Sequence, residues 1–162
     1  MTSQILTSQA EPKHALDAWI RLLRGHAAAR RTLDASLQAD HGLTVTAYEA
    51  LIVLSSAGEK RLRRVDLAEQ LALTASGVTR LLDGLESDGL VAKETCESDL
   101  RATYAVLTDA GRAKLETASC SHVRSVRALF EERYTPEELE TLASLLQRLP
   151  GAGAADAENC SL

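Results

Sequence analysis

Two apolar patterns with helical spacing, followed by two short apolar segments, stand out between residues 66 and 107. In the first pattern, Leu67 and Leu71 lie four residues apart and share one face, while the small Ala68 allows a neighbouring helix to approach closely. The second pattern follows one face of a helix with a period of 3.6 residues. Its apolar positions are Val78, Leu81, Leu82 and Leu85, and the opposite face carries Ser76, Thr79, Arg80 and Asp83. The second helix is therefore predicted to bury one face and to expose a polar one.

The ends of this second helix carry residues with capping chemistry. The Thr74 hydroxyl can accept a hydrogen bond from a backbone N–H of the first turn. Asp88-Gly89 marks the other end, because glycine adopts the left-handed conformation without a steric cost. We therefore predict a helix from about Ala75 to Asp88.

Two short strands follow, over residues 90–93 and 103–107, and the polar segment 96–101 connects them. Such a two-stranded ribbon with a charged tip is a wing. The order of two short helices and then a ribbon predicts a winged helix-turn-helix.

Further helical patterns flank the winged segment. A long helix is predicted from about His14 to Asp40, and a shorter one begins at Thr46, where Thr46 and Glu49 have capping-box spacing. Behind the wing, Thr108 caps another long helix, and Thr135-Pro136 starts the last one. The outer helices exceed what a winged domain requires, so we expect them to bury their apolar stripes against a second copy of the chain, in a two-fold dimer.

The chain as a whole has the size of one domain, with 162 residues and a net charge of −5. We expect an ordered domain over 13–149, with its winged part at about 43–107, and disordered ends over 1–12 and 150–162. No apolar run is long enough to span a membrane and no secretory signal is visible, so a cytoplasmic location is expected. The three cysteines lack metal-site spacing, and neither a metal nor a cofactor is predicted.

The charge balance bears directly on a nucleic-acid partner. Between residues 59 and 107, seven basic side chains stand against nine acidic ones. DNA binding therefore requires that the fold gather positive charge on one surface. The alternative is that these side chains are ordinary solvated surface charges.

The stretches LTASGVTRLLDGLESDGLV and DLRATYAVLTDAGR, in this order, resemble the MarR family of winged-helix transcriptional regulators over about Leu43–Arg112. The resemblance implies a mainly α fold, with a two-stranded β-wing and long N- and C-terminal dimerisation helices. It also implies a homodimer that binds a pseudo-palindromic operator in double-stranded DNA, usually as a ligand-responsive repressor.

Six residues are candidates for DNA contacts. Hydroxyl groups can bond to phosphates or bases, and an arginine can contact guanine with two hydrogen bonds in the major groove. An arginine on the wing suits a narrow minor groove, and a neighbouring aspartate could orient it. The candidates are Thr74, Ser76, Thr79 and Arg80 on the second helix and its cap, with Asp99 and Arg101 on the wing. Family members often carry a second arginine between the last two positions, where this chain has Leu100.

The resemblance also implies a small aromatic or anionic effector, bound between the dimerisation helices and the winged domain. The candidate residues are Trp19, His26, Arg30, Tyr48 and His122. Each has an alternative role, since a tryptophan or a histidine on an apolar stripe is commonly part of a core.

An enzyme is not expected, because the chain lacks a glycine-rich phosphate loop and the G-x-S-x-G and H-E-x-x-H motifs. The alternative function is a winged-helix protein-interaction module that does not bind DNA directly, which the acidic balance would suit. The placement of Arg80 and Arg101 distinguishes the two functions.

Overall fold

The computed structural model describes residues 13–96 and 99–151, with side chains at all of these positions except 96 and 99–102. Within these ranges, six α-helices and three strands follow one another. They are α1 (His14–His41), α2 (Val45–Ser56), β1 (Arg61–Arg63), α3 (Arg64–Gln70), α4 (Ala75–Ser87), β2 (Val91–Cys96), β3 (Asp99–Leu107), α5 (Asp109–Glu131) and α6 (Pro136–Leu146). The predicted disordered ends lie outside the described residues, apart from Pro150 and Gly151. None of the helices in the described ranges is long and apolar enough to cross a bilayer.

Helix α4 has the ends that its sequence predicts. The Thr74 hydroxyl accepts a hydrogen bond from the Gly77 N–H at 3.1 Å, and Gly89 adopts a φ of +70° just beyond the helix. Thr108 caps α5 in the same way, through the N–H of Gly111 at 3.0 Å. Thr135 and Glu138 form the capping box of α6. These predictions are confirmed.

The predicted cap of α2 is wrong. Thr44, and not Thr46, precedes the helix and accepts a hydrogen bond from the Ala47 N–H at 3.1 Å. The side chains of Thr46 and Glu49 are instead hydrogen-bonded to Arg30 of α1. A contact between two helices therefore uses the residues that were assigned to a local cap.

The wing contains one strand more than the predicted ribbon. The sheet is antiparallel in the order β1-β3-β2, and Leu62 of β1 pairs with Ala105 of β3. The strands β2 and β3 are also longer than predicted, so that Asp99 and Arg101 belong to β3 and not to the connecting tip. Along the chain, α3 and α4 thus come between β1 and β2, and these two strands belong to the same sheet.

A single apolar core joins the winged part to the long helices. Its most deeply buried side chains are Leu37, Leu51, Leu54, Leu67, Leu82, Val78 and Val91. The core-facing positions of α4 behave as predicted, with Val78, Leu82 and Leu85 buried and Leu81 packed against their edge. In contrast, the first half of α1 exposes Leu16, Trp19 and Leu23.

Close packing at the start of α5 explains one glycine. A Cβ on Gly111 would lie only 2.1 Å from the carbonyl oxygen of Leu90. The Thr108 hydroxyl donates to the Gly89 carbonyl at 2.8 Å, which holds the first turn of α5 against the turn that follows α4. Glycine at this position is therefore required by the approach of two backbones.

Candidate nucleic-acid interface

The polar face of α4 lies opposite its buried face. Thr74, Ser76 and Arg80 are exposed there, and Thr79 is half-buried. The Thr79 hydroxyl donates to the Ala75 carbonyl at 2.8 Å, which leaves its oxygen able to accept a further bond. Four predicted DNA-contact residues are thus brought to one end of one helix.

Arg80 keeps its positive charge available. Its Nε donates to the Ser76 carbonyl at 3.4 Å, so that the side chain lies along its own helix. Among the described side chains, no carboxylate lies within 4.0 Å of the Arg80 guanidinium. The group is therefore free to approach a phosphate or a base edge.

Basic side chains of the wing form ion pairs with acidic side chains near this face. Lys93 of β2 contacts Asp83 at 2.5 Å and Glu86 at 2.8 Å, both on α4. On β1, the opposite edge strand of the sheet, Arg61 pairs with Glu59 at 2.8 Å and lies over the Tyr104 ring, 5.2 Å from its centre. Several acids of the winged part are thus paired within the protein, which reduces their repulsion of a polyanion.

Asp99 and Arg101 are placed only through their backbone. Both belong to the first part of β3, where Asp99 pairs with Cys96 of β2. Their side chains lie outside the described part of the structure, so the predicted wing contacts stay predictions.

Three of the five predicted effector residues, Arg30, Tyr48 and His122, lie where α1, α2 and α5 pack together. Arg30 donates to both carboxylate oxygens of Glu49, at 3.0 and 3.1 Å, and to the Thr46 hydroxyl at 2.8 Å. The rings of Tyr48 and His122 lie 4.6 Å apart, and Tyr48 donates to the Ser119 hydroxyl at 3.1 Å. These contacts join the winged part to the long helices.

His122 is the unusual member of this cluster. Its Nδ1 is buried and has no hydrogen-bond partner among the described residues. Burial lowers the pKa of the imidazole, and the nearby Glu49 carboxylate opposes this shift. The ring is therefore neutral near pH 7 and packs as an aromatic group.

The other two predicted effector residues do not join the cluster. Trp19 is 55% exposed and His26 is also exposed, both earlier along α1. An open cleft of about 670 Å³ lies elsewhere, between the end of α1, the turn before β2 and the first half of α5, and it is lined by none of the five. Within one protomer the five residues thus do not all lie together, and the effector site stays a prediction.

Sequence reasoning missed two features of the site. The contact of Lys93 with α4 and that of Arg30 with Glu49 both join residues on different elements. Charge complementarity was visible in the sequence, but the pairing depends on the fold.

Among the described residues, no three His, Cys, Asp or Glu side chains come together as a metal site.

Comparison with known proteins agrees with this geometry. A sequence model of the MarR family matches residues 41–102. The crystal structure of AbsC, a MarR family transcriptional regulator from Streptomyces coelicolor, is 32% identical, covers 90% of this chain and 94% of its own, and superimposes with a TM-score of 0.72. Sco3205, a MarR family regulator from the same organism crystallised with DNA, is 29% identical over 90% of this chain and 88% of its own, with a TM-score of 0.74.

A curated relative is the HTH-type transcriptional repressor YetL from Bacillus subtilis, with 32% identity over 108 residues. The match covers 67% of this chain and 64% of YetL, just under two thirds of that protein. These relatives are transcriptional regulators, the class of protein that the sequence analysis expected. Together with the winged helix-turn-helix and its exposed polar helix face, the comparisons show that the chain belongs to the MarR family of transcriptional regulators.

Proposed function

We propose that the protein regulates transcription by binding double-stranded DNA with α4 in the major groove. The observation that carries this proposal is the exposed face of α4, which presents Ser76, Thr79 and Arg80 opposite the buried Val78 and Leu82. Arg80 has the chemistry to contact a guanine edge, while the hydroxyl groups suit phosphates or bases. The crystallisation of Sco3205 with DNA supports this assignment.

The remaining DNA contacts are assigned to the helix cap and the wing. Thr74 lies at the N-terminus of α4, where backbone N–H groups favour a phosphate. Arg101 on β3 enters the adjacent minor groove, and Asp99 orients it.

The protein acts as a homodimer in this proposal. Large apolar side chains are exposed on α1 and around α6, outside the core of the protomer. They are Leu16, Trp19, Leu23, Tyr134, Leu145 and Leu149. A second copy that covers them would place two α4 helices in successive major grooves, roughly 34 Å apart, on an imperfect palindrome.

A small aromatic or anionic effector controls DNA binding in this proposal, and repression is the mode of regulation. YetL is named a transcriptional repressor, and this name supports repression as the mode of regulation. Arg30, Tyr48 and His122 lie where the long helices meet the winged part, so a ligand that displaces their contacts would change how the two are joined. Trp19 and His26 would contribute from the exposed stripe of α1, next to the second copy.

A direct test selects duplexes from a random library with the purified full chain and measures Kd for the selected and the scrambled sequence. We expect a palindromic consensus, a mass of two chains in light scattering, and a log–log salt slope of about −0.9 for each phosphate neutralised. A chain that selects no sequence, or that binds the selected and the scrambled duplex equally, contradicts the proposal. That result favours the acidic protein-interaction module instead.

A further inference from the structure

Lys93 joins the wing to α4 through two carboxylates at once. Its Nζ lies 2.5 Å from Asp83 Oδ1 and 2.8 Å from Glu86 Oε2. The lysine belongs to β2, while both acids belong to the C-terminal half of α4. The Lys93 side chain is 28% exposed, against 57% for Asp83 and 45% for Glu86, so the lysine side chain as a whole is the least exposed of the three.

The two acids continue the DNA-facing side of α4. Asp83 follows Arg80 by three residues and Glu86 follows Asp83 by three, so neighbouring positions on the helix surface carry them. Unpaired carboxylates at these positions would repel phosphates. The hydrogen bonds to Asp83 and then to Glu86 raise the pKa of Lys93, so the ammonium keeps its charge and its contacts at physiological pH.

We propose that Lys93 is a positioning residue for DNA recognition, which fixes the wing on α4 so that both engage one duplex at a set spacing. This inference rests on the proposed function. A protein discriminates between DNA sequences when its groups meet base edges and grooves in a fixed geometry, and loose elements bind the backbone of any sequence instead. The Lys93 contacts cross from β2 to α4 near Arg80, while Arg101 lies on the strand that pairs with β2. The ion pairs therefore fix the angle between the two parts of the proposed interface.

A direct contact between Lys93 and a phosphate is the competing explanation, and charge changes of opposite sign separate the two. Lys93→Met removes one positive charge and breaks both ion pairs. The double variant Asp83→Asn with Glu86→Gln removes two negative charges and breaks the same ion pairs. A phosphate contact predicts weaker binding to all DNA for the first variant and stronger binding for the second, with discrimination unchanged in both.

The experiment measures Kd for a duplex selected by the wild-type chain and for a scrambled duplex of the same composition. We expect both variants to lose discrimination between the two duplexes by about tenfold, comparable to the loss from one mismatched base pair. Lys93→Arg, which can still bridge both acids, should keep the wild-type ratio. Lys114→Met on α5 is the control for the charge change, since Lys114 has no ion pair among the described residues. Circular dichroism checks that each variant folds.

The possible outcomes are distinct. If Lys93→Met and the double variant both keep the wild-type ratio, the positioning role is wrong. The same holds if Lys93→Met lowers the magnitude of the salt slope by about 0.9 and weakens both duplexes equally, because the lysine is then a phosphate contact. If the wild-type chain itself shows no preference between duplexes, the proposed DNA function fails and this inference fails with it.

Discussion

Arg30 and Glu49 form a two-pronged ion pair that ties α1 to α2. Both guanidinium Nη atoms donate to the carboxylate, at 3.0 and 3.1 Å, and one of them also donates to Thr46. Because the planar guanidinium and carboxylate groups match each other, the pair fixes the relative orientation of the two side chains as well as pairing their charges. Since α1 belongs to the long helices and α2 to the winged part, the pair couples the two regions.

We predict that Arg30→Met lowers the free energy of unfolding by about 1 kcal/mol or less, because both side chains keep more than a third of their exposure to water and the pair is partly screened. Glu49→Gln should cost a similar amount. Urea unfolding of the two single variants and the double variant measures the coupling energy. Fully additive losses would mean that the ion pair contributes nothing.

Gly111→Ala should destabilise the protein by about 3 kcal/mol or more, because the new Cβ would overlap a backbone oxygen that cannot move without displacing the strand. The measurement is the unfolding midpoint in urea. Gly84→Ala on α4 is the matched control, since a Cβ there meets nothing within 4 Å. It should stabilise the helix by about 0.5–1 kcal/mol. Equal effects at the two positions would contradict the close approach at Gly111.

Arg80 and Arg101 should affect DNA binding differently. We predict that Arg80→Ala weakens binding by about 1–3 kcal/mol and relaxes the preference at one base pair of each half-site. Arg101→Ala should weaken binding most where an A·T-rich sequence lies under the wing. Affinities of both variants for duplexes altered at each of these places test this. Equal losses on every sequence would show that both arginines are phosphate contacts only.

His122 should make stability depend on pH. Because its folded-state pKa is lowered, the neutral ring favours the folded state above the unfolded-state pKa of about 6.5. This contribution is lost as the pH falls below that value toward the folded-state pKa, since the unfolded chain then binds the proton more readily. We predict that unfolding free energies measured from pH 8 to pH 5 fall more steeply for the wild type than for His122→Phe. Parallel profiles would exclude His122 as the cause.

Trp19→Glu should weaken dimerisation, because it places a charge in the exposed apolar stripe of α1 that a second copy is proposed to cover. Light scattering over a dilution series gives the dimer dissociation constant. Val65→Glu is the control, since Val65 is 63% exposed and lies on α3, which packs mainly on α2, α4, β1 and β3. A Trp19→Glu variant as dimeric as the control would remove this helix from the interface.

Local chemistry made much of this fold predictable. Thr74, Thr108 and Thr135 mark helix starts because a cap needs only a hydroxyl group within three residues of a free N–H. The polar face of α4 follows from helical period alone. Contacts between distant segments are not predictable from local pattern: the spacing of Thr46 and Glu49 indicates a cap, whereas in the fold Arg30 binds Thr46. The short strand β1 is not predicted for the same reason, since only its pairing with β3 defines it as a strand.

The pairing of β1 with β3 determines how the winged part can unfold locally. Residues on either side of the helix-turn-helix are held in one sheet, so the chain from Arg61 to Leu107 forms a closed loop. Neither α3 nor α4 can fray from a free end. Their amide hydrogens should therefore exchange with solvent together with those of the sheet, as one cooperative unit.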